Sequence, residues 1–217
     1  MGGSSWLRQA ADLVLPVRCV GCGVRATAWC PPCQREALDL RVRELDGGLQ
    51  VVAASSYDGA VREALLGYKE RGRRDLTAAL GRLLAASVTA AEHGLHDPVV
   101  IPMPSSSRAV RQRGGDHMLH LVRRTLPERG VATALGSRAQ RDAAELSATG
   151  RQRARRAAMY ARRGTQQLVA GRDVLLVDDI VTTGATLARA GEIVIALGAR
   201  GVRAAVVAET ERQVAGR

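Results

Sequence analysis

The stretch Val174–Leu187, VLLVDDIVTTGATL, decides the fold of this chain. Its first four residues are apolar, and they predict the central strand of a parallel sheet covered on both faces. Two carboxylates, Asp178 and Asp179, follow at the C-terminal end of that strand. In open α/β sheets this is the end where ligands bind. Thr182, Thr183, Gly184, Ala185 and Thr186 then lead into a predicted helix. Small residues let backbone N–H groups approach an anion, and a helix N-terminus adds partial positive charge. Threonine hydroxyls donate to phosphate oxygens, whereas carboxylates accept from sugar hydroxyls. A phosphate held beside a diol describes a ribose 5-phosphate.

Outward from this stretch, strands and helices alternate. Strands are predicted at Val51–Tyr57, Pro98–Pro104, Asp173–Asp178 and Val202–Glu209. Helices are predicted at Ala60–Arg71, Leu76–His93, Asp116–Arg129 and Thr186–Leu197, with Gly72, Gly94 and Gly130 as stops. A short helix is expected before Pro16. Residues 131–165 are Arg-rich and weakly apolar, and are expected to cover the core. Alternation of this kind predicts a Rossmann-like parallel sheet with helices on both faces. The expected division is a small N-terminal module at 1–46 and an α/β domain at 47–217, with the boundary near Gly47-Gly48.

A second anion site is predicted where the apolar run Ile101-Pro102-Met103-Pro104 meets Ser105, Ser106, Ser107 and Arg108, with Arg111 and Arg113 close behind. Turn amides and guanidinium groups suit a pyrophosphate. Lys69 joins Ser105, Arg108 and Arg113 as a candidate pyrophosphate contact. It is the only lysine among 32 basic residues, and a compact ammonium is not interchangeable with Arg. Chance retention at a helix end is the alternative. His117 and His120 are expected on the surface or in the hood over the site.

The four cysteines, Cys19, Cys22, Cys30 and Cys33, form two CxxC pairs seven residues apart. Four thiolates make a closed tetrahedral site for structural Zn²⁺. Two disulfides or a redox pair are the alternatives. No signal peptide or membrane-length apolar run is read in the sequence, so a cytoplasmic setting is expected, and it disfavours disulfides. The net charge of +11 points to a polyanionic partner, nucleic acid or a phosphorylated substrate, although scattered arginines give the same total. Aromatic residues make up only 2% of the chain, which disfavours a base-stacking platform.

The stretch VLLVDDIVTTGATL resembles the phosphoribosyl-pyrophosphate (PRPP) signature of type I phosphoribosyltransferases. With the CxxC pairs, Tyr57-Asp-Gly-Ala-Val-Arg62, Gly67-Tyr-Lys69-Glu-Arg-Gly72 and the Pro-x-Pro-Ser-x-x-Arg segment, the chain resembles the ComF family. That resemblance implies a type I phosphoribosyltransferase fold behind a zinc knuckle. It implies that Asp178 and Asp179 contact the ribose hydroxyls and that residues 182–186 hold the 5-phosphate. Mg²⁺ is the expected companion of PRPP, bridging phosphate and ribose oxygens. The resemblance also implies a link to competence and recombination proteins, with single-stranded DNA as an alternative partner. Gly115 and Asp116 stand where the family has an aromatic residue and an Asn, and residues 143–158 carry Arg without Asn.

Overall fold

A computed structural model describes residues 17–105, 110–111, 115–137 and 159–210. The expected N-terminal helix, Arg108, Arg113 and the Arg-rich segment 143–158 lie outside these residues.

A five-stranded sheet organises the molecule, in the order β1-β2-β7-β6-β3. The strands are β1 Arg41–Glu44, β2 Gln50–Ala53, β3 Val99–Pro102, β6 Asp173–Val181 and β7 Gly201–Glu209. The pairs β2–β7, β7–β6 and β6–β3 are parallel, and only β1 at the edge runs antiparallel. β7, not β6, is the middle strand; β6 is an interior strand between β7 and β3, and its apolar residues are buried on both faces: Val174, Leu175, Leu176 and Val177 are fully covered. Leu175 and Val177 face one core, and Val174 and Leu176 face the other, as the two-residue period of a strand requires.

The first core is covered by α2 Gly59–Glu70, α3 Thr77–Ala91 and α4 His117–Thr125. α6 Ala185–Ala196 covers the second. The short helix α5 Thr165–Val169 and a two-stranded ribbon, β4 Leu135–Ser137 with β5 Met159–Ala161, lie on that same side. α1 Pro31–Ala37 follows the cysteine turn, with Cys30 as its N-cap and Pro31 in its first turn. Proline is tolerated there because that N–H has no partner within the helix.

Three further features depart from the sequence reading. β6 runs on to Val181, past the expected end at Asp178, so Asp179 also lies within the strand rather than beyond it. Strand pairing continues past them, with Ile180 opposite Ala208 and Val181 opposite Glu209. The second departure is β1, which precedes the expected boundary at Gly47-Gly48 yet pairs with β2 in the central sheet. The third is that residues 135–137 and 159–161 form a ribbon within the segment read only as cover.

At the N-terminal end of β6, Asp173 receives both Nε and an Nη of Arg200, at 2.9 and 2.6 Å. It also accepts the His96 backbone N–H at 2.7 Å. This carboxylate anchors the end of the strand opposite the candidate site.

Candidate functional site

The C-terminal ends of β6 and β3, the loop into α6 and the tips of α2 and α4 enclose a cavity of about 500 Å³. Strand alternation places the two aspartates differently. Asp179 points to the side of Leu175 and Val177, the face covered by α2 and α4. There its Oδ2 takes the Lys69 Nζ at 2.7 Å and the His117 Nε2 at 2.7 Å. Asp179 is buried, at 6% exposure. Burial alone raises a carboxyl pKa, but Lys69 and His117 outweigh it and hold Asp179 well below the usual carboxylate range.

Asp178 is half-buried on the other side. Its Oδ1 accepts the Asp179 backbone N–H at 2.9 Å. Burial, reinforced by the neighbouring Asp179 charge, pushes the Asp178 carboxyl up to about 8. The two adjacent acids are therefore pushed in opposite directions, Asp179 toward the anion and Asp178 toward the protonated form.

Thr182, Thr183, Gly184, Ala185 and Thr186 line the same cavity. Gly184 is the residue before α6 and has φ of +80°, a left-handed conformation. A Cβ at this position would lie within 3.0 Å of three side-chain carbons of Leu45. The glycine thus serves both a turn and a close approach, and it sets the first turn of α6 at the cavity wall. The Thr183 hydroxyl accepts from the Ala185 N–H at 3.4 Å. From β1, Arg43 donates to the Thr182 carbonyl at 2.8 Å and ties the loop to the sheet edge.

Across the cavity, the chain leaving β3 is held by the Met103 N–H on the Val177 carbonyl at 2.8 Å. Ser105 follows, lining the cavity. Its Oγ donates to Asp116 Oδ1 at 3.1 Å and lies 3.5 Å from His117 Nδ1. Asp116 also caps α4, accepting the Met118 and Leu119 N–H groups at 3.1 and 3.2 Å. Thus Asp178, Asp179, the 182–186 loop, Ser105 and Lys69 meet in one cavity.

His117 does not lie where the sequence predicts. It is 6% exposed and bound to Asp179, not a surface or hood residue. Its spacing of three from His120 carried no signal, because its partner is 62 residues away in the chain.

A separate cluster joins Cys19, Cys22, Cys30 and Cys33, whose Sγ atoms all lie within 4.8 Å of one another. Cys30 Sγ is 3.6 Å from Cys19 Sγ and 3.7 Å from Cys22 Sγ. A tetrahedral ion with metal–sulfur bonds near 2.3 Å sets its sulfurs about 3.8 Å apart, so the donor set and spacing fit such an ion. Burial raises the Cys19 thiol pKa, but N–H groups of Cys30, Cys22 and Gly21 outweigh it and bring the thiol to about 6. Cys33 is pushed up to about 12, first by its hydrogen bond with Cys30 and then by burial. A Cβ on Gly21 would sit 2.8 Å from Cys33 Sγ, so the tight turn needs glycine.

The sheet, the acidic pair and the glycine-led loop stand beside a match to a known family. Residues 131–215 match the phosphoribosyl transferase domain. This matched segment contains β6, both aspartates and the loop into α6, and the α/β fold with its mostly parallel sheet is that of a type I phosphoribosyltransferase. Among solved structures, an adenine phosphoribosyltransferase is similar at 18% identity and a TM-score of 0.42, covering 81% of this chain and 88% of that one. The orotate phosphoribosyltransferase of Mycobacterium tuberculosis H37Rv, solved with Fe(III) dicitrate, is similar at 22% identity and a TM-score of 0.38, covering 81% and 79%. An allosteric regulatory enzyme of purine biosynthesis is similar at 20% identity and a TM-score of 0.38, covering 60% of this chain. The chain spans only 26% of that enzyme. A search of curated proteins finds no match. Among the described residues, no helix is long and apolar enough to cross a membrane.

Proposed function

We propose that the cavity at the end of β6 binds PRPP and that the protein is a phosphoribosyltransferase-like member of the ComF family. The observation that carries this reading is the placement of Asp178, Asp179 and the N-terminus of α6 around one cavity, with the Ser105 turn opposite. In this reading the two carboxylates accept from the ribose hydroxyls. The 182–186 loop holds the 5-phosphate by its amides and hydroxyls. Ser105, Lys69, Arg108 and Arg113 take the pyrophosphate.

The hard oxygen donors of the acidic pair suit Mg²⁺ as a companion of the substrate. Bound by PRPP oxygens beside Asp178 and Asp179, it would supply charge neutralisation of the leaving pyrophosphate. Asp178 lines the cavity with its carboxyl pushed upward by burial and by the Asp179 charge, and is placed to exchange a proton with substrate. Asp179, held anionic, stabilises positive charge at the ribose during departure of pyrophosphate. The four-thiol cluster is read as a structural Zn²⁺ site, and the setting as cytoplasmic.

The test is calorimetric titration of the full chain with PRPP and Mg²⁺, followed by a pyrophosphate-release assay with candidate bases and amines. Saturable one-site binding, abolished by Asp178→Asn with Asp179→Asn, is the expected result. An absence of PRPP binding at millimolar ligand would sink the reading. Binding without pyrophosphate release would favour a PRPP-sensing accessory linked to competence and recombination proteins. The net charge of +11 motivates a single-stranded DNA arm of the same titration, in which a steep loss of affinity with salt is the signature of phosphate contacts.

A further inference from the structure

His117 touches both halves of the cavity. Its Nε2 lies 2.7 Å from Asp179 Oδ2 on β6. Its Nδ1 lies 3.5 Å from Ser105 Oγ, on the turn after β3. The imidazole is fixed in place by more than these contacts. It opens α4, which Asp116 caps. The Tyr68 hydroxyl donates to the His117 carbonyl at 3.1 Å, and the two rings meet edge-on with centroids 6.4 Å apart.

The acceptor at Nε2 is a carboxylate oxygen, which has no proton to give when ionised. Nε2 therefore carries the proton of that hydrogen bond. In the neutral ring Nδ1 then carries no proton, and the one Ser105 hydroxyl proton goes to Asp116 Oδ1, the cap of α4, so the Ser105 turn is tied to His117 through that cap. The same Asp179 Oδ2 receives Lys69 Nζ at 2.7 Å. Two donors, from α2 and α4, thus converge on one oxygen, a geometry that holds the carboxylate plane rigid. Second-tier contacts of this type commonly set how well a ligand-binding carboxylate is oriented.

We propose that His117 is a positioning residue that locks Asp179 against the ribose side of the cavity and ties that lock to the Ser105 turn on the pyrophosphate side. It acts through Asp179 rather than by touching the substrate. The proposal rests on the PRPP reading for its substrate, and on this chain's own geometry for the link.

The experiment has two arms. In the first, PRPP affinity with Mg²⁺ is measured by calorimetry for wild type, His117→Leu, His117→Gln, Asp179→Asn and the Asp179→Asn/His117→Leu double variant. Each variant's thermal midpoint is recorded to show that it folds. His117→Leu should weaken binding about 10- to 100-fold, the loss expected for a hydrogen bond to a charged group. His117→Gln restores a donor toward Asp179 and should stay within roughly fivefold of wild type. The double variant should bind no more weakly than Asp179→Asn alone, because the histidine acts through that carboxylate. Losses that multiply, or a glutamine variant as weak as leucine, would overturn the proposal.

The second arm needs no ligand. Side-chain ¹⁵N NMR of the wild type should show one imidazole protonated at Nε2, with a resonance that moves on Asp179→Asn. A His117 signal indifferent to Asp179 overturns the link itself. If wild type binds no PRPP, the functional reading fails and takes the substrate half of the proposal with it, while the NMR arm still decides the link.

Discussion

Replacing Gly184 by alanine tests why a glycine stands at the head of α6. The backbone there has φ of +80°, which costs an L-residue about 1–2 kcal/mol. The new methyl would also press on Leu45, which is buried at 5% exposure, and overpacking of this kind costs about 1–3 kcal/mol. The sum is about 2–5 kcal/mol, a large part of the ~5–15 kcal/mol that holds a domain folded. For a chain of this size each kcal/mol moves the thermal midpoint by about 2–4 °C, so a fall on the order of 10 °C is expected. The two contributions separate in a cycle with Leu45→Ala. That change removes the obstructing side chain, at about 2–5 kcal/mol of its own. In its background, Gly184→Ala should retain only the backbone cost of about 1–2 kcal/mol. Urea unfolding of the four proteins measures this coupling. Equal costs for Gly184→Ala in both backgrounds, within about 0.5 kcal/mol, would refute the close-approach argument.

Four further outcomes follow from the charges and the thiols. Asp178 has a folded-state pKa raised to about 8, so its contribution is fully present below about pH 4 and is lost as pH rises through 8. Asp178→Asn should therefore raise the thermal midpoint above wild type at pH 9 and lose that advantage at pH 4. Asp173 is shifted the other way, lowered to about 2, first by its hydrogen bonds with Arg200 and then by the His96 N–H. Its contribution is present above about pH 4 and lost as pH falls through 2, so Asp173→Asn should flatten the acid limb of a stability–pH curve. Elemental analysis should find one zinc per chain, and a chelator should lower the midpoint. Gly21→Ala, which drives a methyl into Cys33, should weaken zinc retention while leaving the sheet's far-ultraviolet signal intact.

The parts of the fold legible in the sequence are those whose burial writes a pattern. β6 announces itself because four consecutive residues are apolar and covered on both faces. The helices α2, α3, α4 and α6 follow from one-sided apolar spacing. β1 escaped because it reads Arg-Val-Arg-Glu, and Val42 faces outward at 70% exposure. It is a strand only by virtue of its backbone bonds to β2, and a charged edge strand leaves no apolar signature. The ribbon β4–β5 is three residues a side, too short for any period to register. In the site, Asp178, Asp179 and the 182–186 loop were legible because they are contiguous. Lys69 stood out only as the sole lysine. His117 left no trace, since its meaning comes from a partner on another element. The different fates of the two aspartates were also hidden, because they depend on which face α2 and α4 occupy.

Helix α2 has one end at each of the two clusters. Ala60, in its first turn, lies 3.5 Å from where a Gly21 side chain would begin, and Lys69, in its last turn, grips Asp179. Cys19, Trp29 and Cys30 share a single core with Val61, Leu65 and Tyr68 of that helix. The cysteine cluster is therefore a mechanical support of the cavity as well as a clasp for the N-terminal region. Oxidation of the thiols would loosen the footing of α2, and the ammonium that steadies the acidic pair sits at the far end of the same lever.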